Sequence, residues 1–259
     1  GRVLRCPECG KHFAELTVMP NTLPSYAFLN FEDHPRGNLM LRALLANARQ
    51  PTIVIEECSK DAKESRREQF EYLAAYAPDP STPTVKNLCD QHGICYVQVD
   101  SLNAADTITY LNSASPDYGI LGDTRVLIDQ VIRTVRHNII NVHPGYLPVV
   151  RGNNPYIWAL ALGLPQGAAA HLVDTGIDTG PILLNQKLDI SAIHSFDRLV
   201  HEINALCADL LVRAFHGLLS KCLKPVEQPA PTHPTFRKAP KELLDYARTL
   251  ISERRRPPC

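Results

Sequence analysis

The sequence predicts an α/β protein with a doubly wound, mostly parallel sheet and a C-terminal helical extension. Short apolar runs rich in β-branched residues recur along the chain, and stretches with helical spacing separate them. That alternation implies parallel strands joined by right-handed crossovers. At 259 residues the chain can bury a sizeable core and suits one α/β domain plus a short extension.

Residues 1–24 stand apart. Cys6-Pro-Glu-Cys9-Gly-Lys-His12 brings two thiols to a metal-binding spacing, but no second Cys/His pair supplies four ligands. The reading is an N-terminal extension without a metal. Tyr26–Phe31 is the first strand, Glu32–Asn38 a polar turn, Leu39–Leu45 a helix and Thr52–Ile55 a second strand, which makes one βαβ unit. Asp61–Tyr76 reads as a charged amphipathic helix and Ala77–Pro83 as a loop. Val85–His92 is a helix, the run from Ile94 to Val99 a strand, Asn103–Asn112 a helix and Tyr118–Leu121 a strand. A helix starting near Thr124 leads to a buried strand over 138–142. Residues 154–162 read as a helix, and Ala168–Val173 with Pro181–Leu188 as a hairpin-like strand pair. Ser195–Leu219 is a helix that Ser195 can cap. Pro225–Pro234 reads as a linker, and Lys241–Glu253 as a last amphipathic helix. Arg254-Arg-Arg256 reads as a solvated terminus. The organisation is an extension (1–24), a main domain (25–224), and a linker with its helix (225–259).

Lys+Arg and Asp+Glu both total 27, so no net field gathers nucleic acid or an anionic membrane. No apolar run reaches membrane length, and no secretory leader is visible. Eight cysteines without regular spacing suit a reducing, cytoplasmic setting. Cys58, Cys89, Cys95, Cys207 and Cys222 read as apolar fillers or inert thiols. The turn before the first helix has no Gly-x-Gly-x-x-Gly, so a nicotinamide cofactor is not indicated.

Chemistry concentrates at three residues. Ile139-Ile-Asn-Val-His-Pro-Gly-Tyr-Leu-Pro148 is an apolar run that stops at Asn141, His143 and a Pro-Gly turn. Alternation sends Asn141 to one side. The chain then turns, so that His143 leaves the sheet's end, where open α/β sheets bind ligands. Asp178 lies in the turn-rich Val173-Asp-Thr-Gly-Ile-Asp-Thr-Gly-Pro-Ile182, and the hairpin brings it back toward His143. An amide, an imidazole and a carboxylate suit an acyl transfer without a covalent enzyme intermediate. The first two can donate to a developing oxyanion, and the carboxylate can orient the imidazole and help move protons.

Asn141, His143, Pro144, Leu147, Pro148, Gly152, Trp158, Ala159, Gly167, His171, Asp178 and Gly180 follow one another at spacings that resemble the formyltransferases using 10-formyltetrahydrofolate. Those include sugar N-formyltransferases, glycinamide ribonucleotide transformylase and methionyl-tRNA formyltransferase. The resemblance covers residues 118–190 strongly and 25–117 more loosely. It implies a Rossmann-like formyltransferase fold, with 25–224 as the catalytic domain. Ala169 departs from it, standing where the family usually carries Thr.

By that resemblance Asn141, His143 and Asp178 are catalytic. Arg125, Val126 and Leu127, together with Asp174, Thr175, Gly176 and Ile177, would line the folate pocket. His171 would face the site, and Arg36, Gly37 and Asn38 would hold an acceptor anion at a helix N-terminus. Without the family, Leu127 reads as core, Arg125 as surface, and Glu56 and Glu57 as solvated carboxylates. The expected activity is N-formylation of a primary amine on a small metabolite, foremost a nucleotide-linked amino sugar. A glycinamide ribonucleotide or other amine formyltransferase, a 10-formyltetrahydrofolate hydrolase, and a non-catalytic folate-binding module are the alternatives. Nucleic acid and membrane partners are not expected, and a homodimer stays open.

Overall fold

The structure is a computed structural model that describes residues 24–76 and 81–254. The Cys6/Cys9 pair, most of the Ala77–Pro83 loop and the arginines after Arg254 lie outside the described residues. The chain divides into two compact units. One comprises Gly1–Gln69 and Pro78–Asn141, the other Phe70–Ala77 and Val142–Cys259.

The first unit holds strands β1 (Tyr26–Phe31), β2 (Ile53–Glu57), β3 (Cys95–Val99), β4 (Tyr118–Leu121) and the start of β5 (Asn138–His143). Their order is β3-β2-β1-β4-β5, and all neighbouring pairs run parallel. Ala27 on β1 sits between Ile53 and Gly119, its partners on the two flanking strands. Every residue of β1 and β2 is buried. This is the condition of parallel strands covered on both faces, and it explains their continuous apolar runs. Helices α1 (Pro35–Ala46), α2 (Lys60–Tyr72), α3 (Val85–His92), α4 (Ala105–Ala114) and α5 (Asp129–Ile132) alternate with the strands. The Thr84 hydroxyl caps α3 by accepting the Asn87 N–H at 3.1 Å.

Three local expectations need correction. The first helix begins at Pro35, not at Leu39, because Pro35 occupies a first-turn position whose N–H has no intrahelical partner anyway. The helix expected near Thr124 is an extended loop up to Ile128, followed by the four-residue α5. Its backbone is satisfied from outside: the Asn103 amide donates to the Val126 carbonyl (2.9 Å), and its oxygen accepts the Ile128 N–H (3.0 Å). Glu56 and Glu57 belong to β2 and are buried, not solvated.

The second unit contains the end of β5, α6 (Pro155–Ala161), β6 (Gly167–Leu172), β7 (Ile182–Lys187), α7 (Phe196–Leu219) and α8 (Lys241–Glu253). Strands β6 and β7 form the expected antiparallel hairpin, with an irregularity between Ala170 and His171. The Ser195 hydroxyl caps α7 by accepting the Arg198 N–H. That helix packs on β6, and α8 packs on α6. Tyr72 meets Tyr156 and Phe196 edge-on in the same unit. The Pro-rich stretch after α7 is a strap, not a bare linker. Val226 exchanges two backbone hydrogen bonds with Ile182. Further on, the Phe236 N–H donates to the Arg151 carbonyl, and the Phe236 carbonyl accepts the Asn153 N–H. Trp158 stacks on Phe236 at 5.0 Å. Among the described residues, no helix is long and apolar enough to cross a membrane.

Candidate active site

Strand β5 extends through His143, one residue further than expected. Strand periodicity therefore sends Asn141 and His143 to the same face. Asn141 is half-buried and His143 buried. The hairpin return brings Asp178 to His143, as expected, and also to His171. One Asp178 oxygen, Oδ2, accepts the Gly152 N–H at 2.9 Å and lies 3.4 Å from His143 Nδ1. The other, Oδ1, lies 3.5 Å from His171 Nε2. The side chains of His143, His171 and Asp178 retain 5%, 3% and 12% of their exposure.

The remaining ring nitrogens meet backbone carbonyls, with His143 Nε2 at 2.9 Å from Val150 and His171 Nδ1 at 2.9 Å from Leu172. A neutral imidazole has one N–H and can donate to only one of its two acceptors, so proton placement in this cluster is shared. Burial pushes the Asp178 carboxyl up. The charge of His143, the hydrogen bond and charge of His171 and the Gly152 N–H outweigh it and hold the carboxyl well below the usual carboxylate range. The arrangement is an ionised, buried carboxylate clamped between two imidazoles. It is built to orient them and to exchange protons with them.

Asp178 takes a left-handed backbone (φ 53°), uncommon for a residue with a side chain. Gly152 has φ 94°, and a Cβ there would lie 2.1 Å from the Phe236 carbonyl oxygen, so glycine is what lets its N–H reach Asp178. Asp174 closes the neighbouring turn on itself by accepting from the Gly176 N–H and the Thr179 hydroxyl. Thr175 is exposed, and Ile177 leaves 45% of its surface open.

In the first unit, Arg125 is not a loose surface residue. It forms a bidentate ion pair with the fully buried Glu57 and reaches Asp61 at 3.3 Å. Glu57 also accepts the Leu102 N–H at 2.8 Å. Leu127 is buried as expected, while Val126 beside it is 59% exposed. The three acceptor-site candidates are engaged within the fold. Arg36 pairs with Asp123, and the Asn38 amide donates to the Pro83 carbonyl. A Cβ on Gly37 would collide with the Asn30 amide at 1.9 Å. The Asn38 N–H is already bonded to the His34 carbonyl, since the helix opens earlier than Gly37. Burial lowers His34, beside Asp123, to about 4.

Sequence reasoning missed the residues that hold these parts in place. Gln228 donates to the carbonyls of Asp178 and Gly180, and Asn185 donates to the Leu147 carbonyl at 2.6 Å. Neither falls in a motif. Glu57 had a visible signal, an acidic residue at the carboxyl end of a strand. Among the described residues no cluster of His, Cys, Asp or Glu could hold a metal.

The fold is that of a Rossmann-like α/β protein, and the cluster sets one carboxylate between two buried imidazoles. Residues 38–215, more than half of the chain, match the family model described as formyl transferase, and the chain belongs to that family. The methionyl-tRNA formyltransferase of Thermodesulfovibrio yellowstonii is 27% identical over 148 residues, 56% of this chain and 48% of its own length. The chain thus spans about half the length of the curated relatives it matches. Among solved structures, glycinamide ribonucleotide transformylase 1 of Symbiobacterium toebii superposes with a TM-score of 0.61 at 15% identity, covering 80% of this chain and 96% of its own. An N-formyltransferase of Helicobacter canadensis, solved with folinic acid and dTDP-3-aminofucose, gives 0.59 at 15% identity, covering 83% of this chain and 71% of its own.

Proposed function

We propose that the chain catalyses N-formylation of a primary amine with 10-formyltetrahydrofolate as donor. The observation that carries this reading is the Asp178 carboxylate held between His143 and His171, in a chain of the formyl transferase family. The folate supplies an activated formyl carbon. Residues assigned to it suit a flat, partly apolar ring. Val126 exposes an apolar side chain on a tethered loop, and Ile177 does so on its own turn.

The unprotonated amine forms the new N–C bond as the bond from the formyl carbon to the folate nitrogen breaks. The Asn141 amide and the His143 N–H donate to the formyl oxygen as it gains charge. His143 Nε2 faces the Val150 carbonyl in this structure, so the substrate oxygen must share or displace that contact. Asp178 orients His143 and, through water, relays the proton that the amine loses to the departing nitrogen.

The acceptor we put first is a nucleotide-linked amino sugar. Its support is the fold likeness to the Helicobacter canadensis enzyme together with the balanced charge, 27 basic against 27 acidic residues. Methionyl-tRNA is the second reading, and the sequence relatives favour it. A formylation screen over amino-sugar nucleotides, glycinamide ribonucleotide, amino acids and charged tRNA tests both. Amine-dependent release of tetrahydrofolate supports the transferase. Formate release without an amine points to hydrolysis, and neither product to a binding module.

A further inference from the structure

Beyond the clamp of histidines, the backbone of Asp178 has its own support. The Gln228 carboxamide lies under the turn and donates to two carbonyls, Asp178 at 2.9 Å and Gly180 at 2.7 Å. Its orientation is chemically determined, because the flipped amide would press an oxygen against both carbonyls. The Gln228 oxygen is buried with no hydrogen-bond partner, so the side chain sacrifices its acceptor to deliver both N–H groups to this turn. Two residues earlier, Val226 is zipped to Ile182 by a pair of backbone bonds. Further along the same segment, Phe236 is bonded to Arg151 and Asn153, on either side of the Gly152 N–H that meets the carboxylate. One strap therefore grips both the turn that carries the carboxylate and the turn that carries its donor.

We propose that Gln228 is a positioning residue of the active site, holding Asp178 in its left-handed conformation so that the carboxylate spans His143, His171 and the Gly152 N–H. The left-handed region is costly for any residue with a Cβ and persists where its surroundings over-determine it. Without the carboxamide, the Asp178 and Gly180 carbonyls lose their shared donor, and the turn is free to relax. The carboxylate then moves away from the groups that keep it ionised. The part of this inference that concerns rate rests on the catalytic role proposed above for Asp178.

The test compares Gln228→Met, which keeps the length and removes both donors, with Gln228→Glu, which keeps the shape but turns an acceptor toward the two carbonyls. Formyl-transfer kinetics are measured alongside the carboxyl titration of Asp178 by carbon NMR. Expected for both variants are a kcat lowered about tenfold, short of the roughly hundredfold loss attached to a displacement of about 1 Å, and a folate KM changed by less than about twofold. The Asp178 carboxyl should titrate higher in both. Wild-type kcat and an unmoved titration in a folded variant would overturn the proposal. A raised titration with unchanged kcat would uphold the positioning and instead remove Asp178 from the chemistry. If Gln228→Met fails to fold, the shape-conserving Gln228→Glu decides by the same two readouts.

Discussion

At the scale of single residues, chemistry and support separate within the short stretch from Asn141 to Asp178. In the mechanism proposed above, Asn141 and His143 carry donors that act on a charge present only in the transition state. We expect His143→Ala and Asn141→Ala each to lower kcat by roughly two to three orders of magnitude, with folate binding little changed. Turnover near wild type in either variant would exclude that residue as an oxyanion donor. Asp178 carries a stability effect as well. Its carboxyl is held below the ordinary 3.8, mainly by His143 and His171 against the opposing effect of burial. A depressed acid contributes stability that is complete above the unfolded pKa and disappears as pH falls through the folded one. The stability gap between wild type and Asp178→Asn should thus be full near about pH 6 and shrink steadily below about pH 4 in urea unfolding. A gap independent of pH would mean that the carboxylate is not held by charge. These three residues were legible from chemistry and order alone. Gln228 was not, because its two carbonyl partners lie 48 and 50 positions away and no periodicity marks it.

At the scale of elements, the outcome turns on what satisfies a backbone. Helix α1 could start at Pro35 because proline leaves nothing unsatisfied there. The loop after β4 stayed extended because Asn103 bonds its backbone and Glu57 pairs with its Arg125 side chain. Arg125 was expected to face the folate. The structure pairs its guanidinium with Glu57, while Val126 beside it is exposed. Glu57→Gln keeps the shape but weakens the bidentate pair. We expect the folate KM to rise about ten- to hundredfold with kcat within about threefold, since a hydrogen bond to a charged group contributes about 1.5–3 kcal/mol. A lowered kcat with an unchanged KM would place the effect in the chemistry, not the loop. The strap is the counterpart in the second unit, where proline content suggested a tether and the hydrogen bonds made it a structural element.

At the scale of the whole chain, the buried polar groups decide how the fold responds to pH. Glu56 lies in the core, with one oxygen accepting from the Asn30 amide (2.8 Å) and the Asp33 N–H (3.0 Å), and the other from the Tyr96 hydroxyl (2.9 Å). Burial outweighs the hydrogen bonds from Asn30, Asp33 and Tyr96 and raises its carboxyl from 4.5 to about 8. A raised acid stabilises fully below its unfolded pKa, and that stability is lost as pH rises through the folded value. Glu56→Gln cannot ionise. Wild type should therefore lose ground to it between about pH 5 and 8, by on the order of a few kcal/mol at most. Parallel unfolding curves across that range would show that Glu56 keeps one charge state throughout. The α/β class, the strands and longer helices, the hairpin return and the meeting of Asp178 with His143 were legible in the sequence alone, because periodicity and residue chemistry act over a few neighbours. The burial of Glu56 and Glu57, the pairing of Arg36 and Arg125, and the grip of Gln228 on Asp178 were decided by tertiary structure. The energy of a buried polar group is set by partners far along the chain, and local pattern carries no record of which partner arrives.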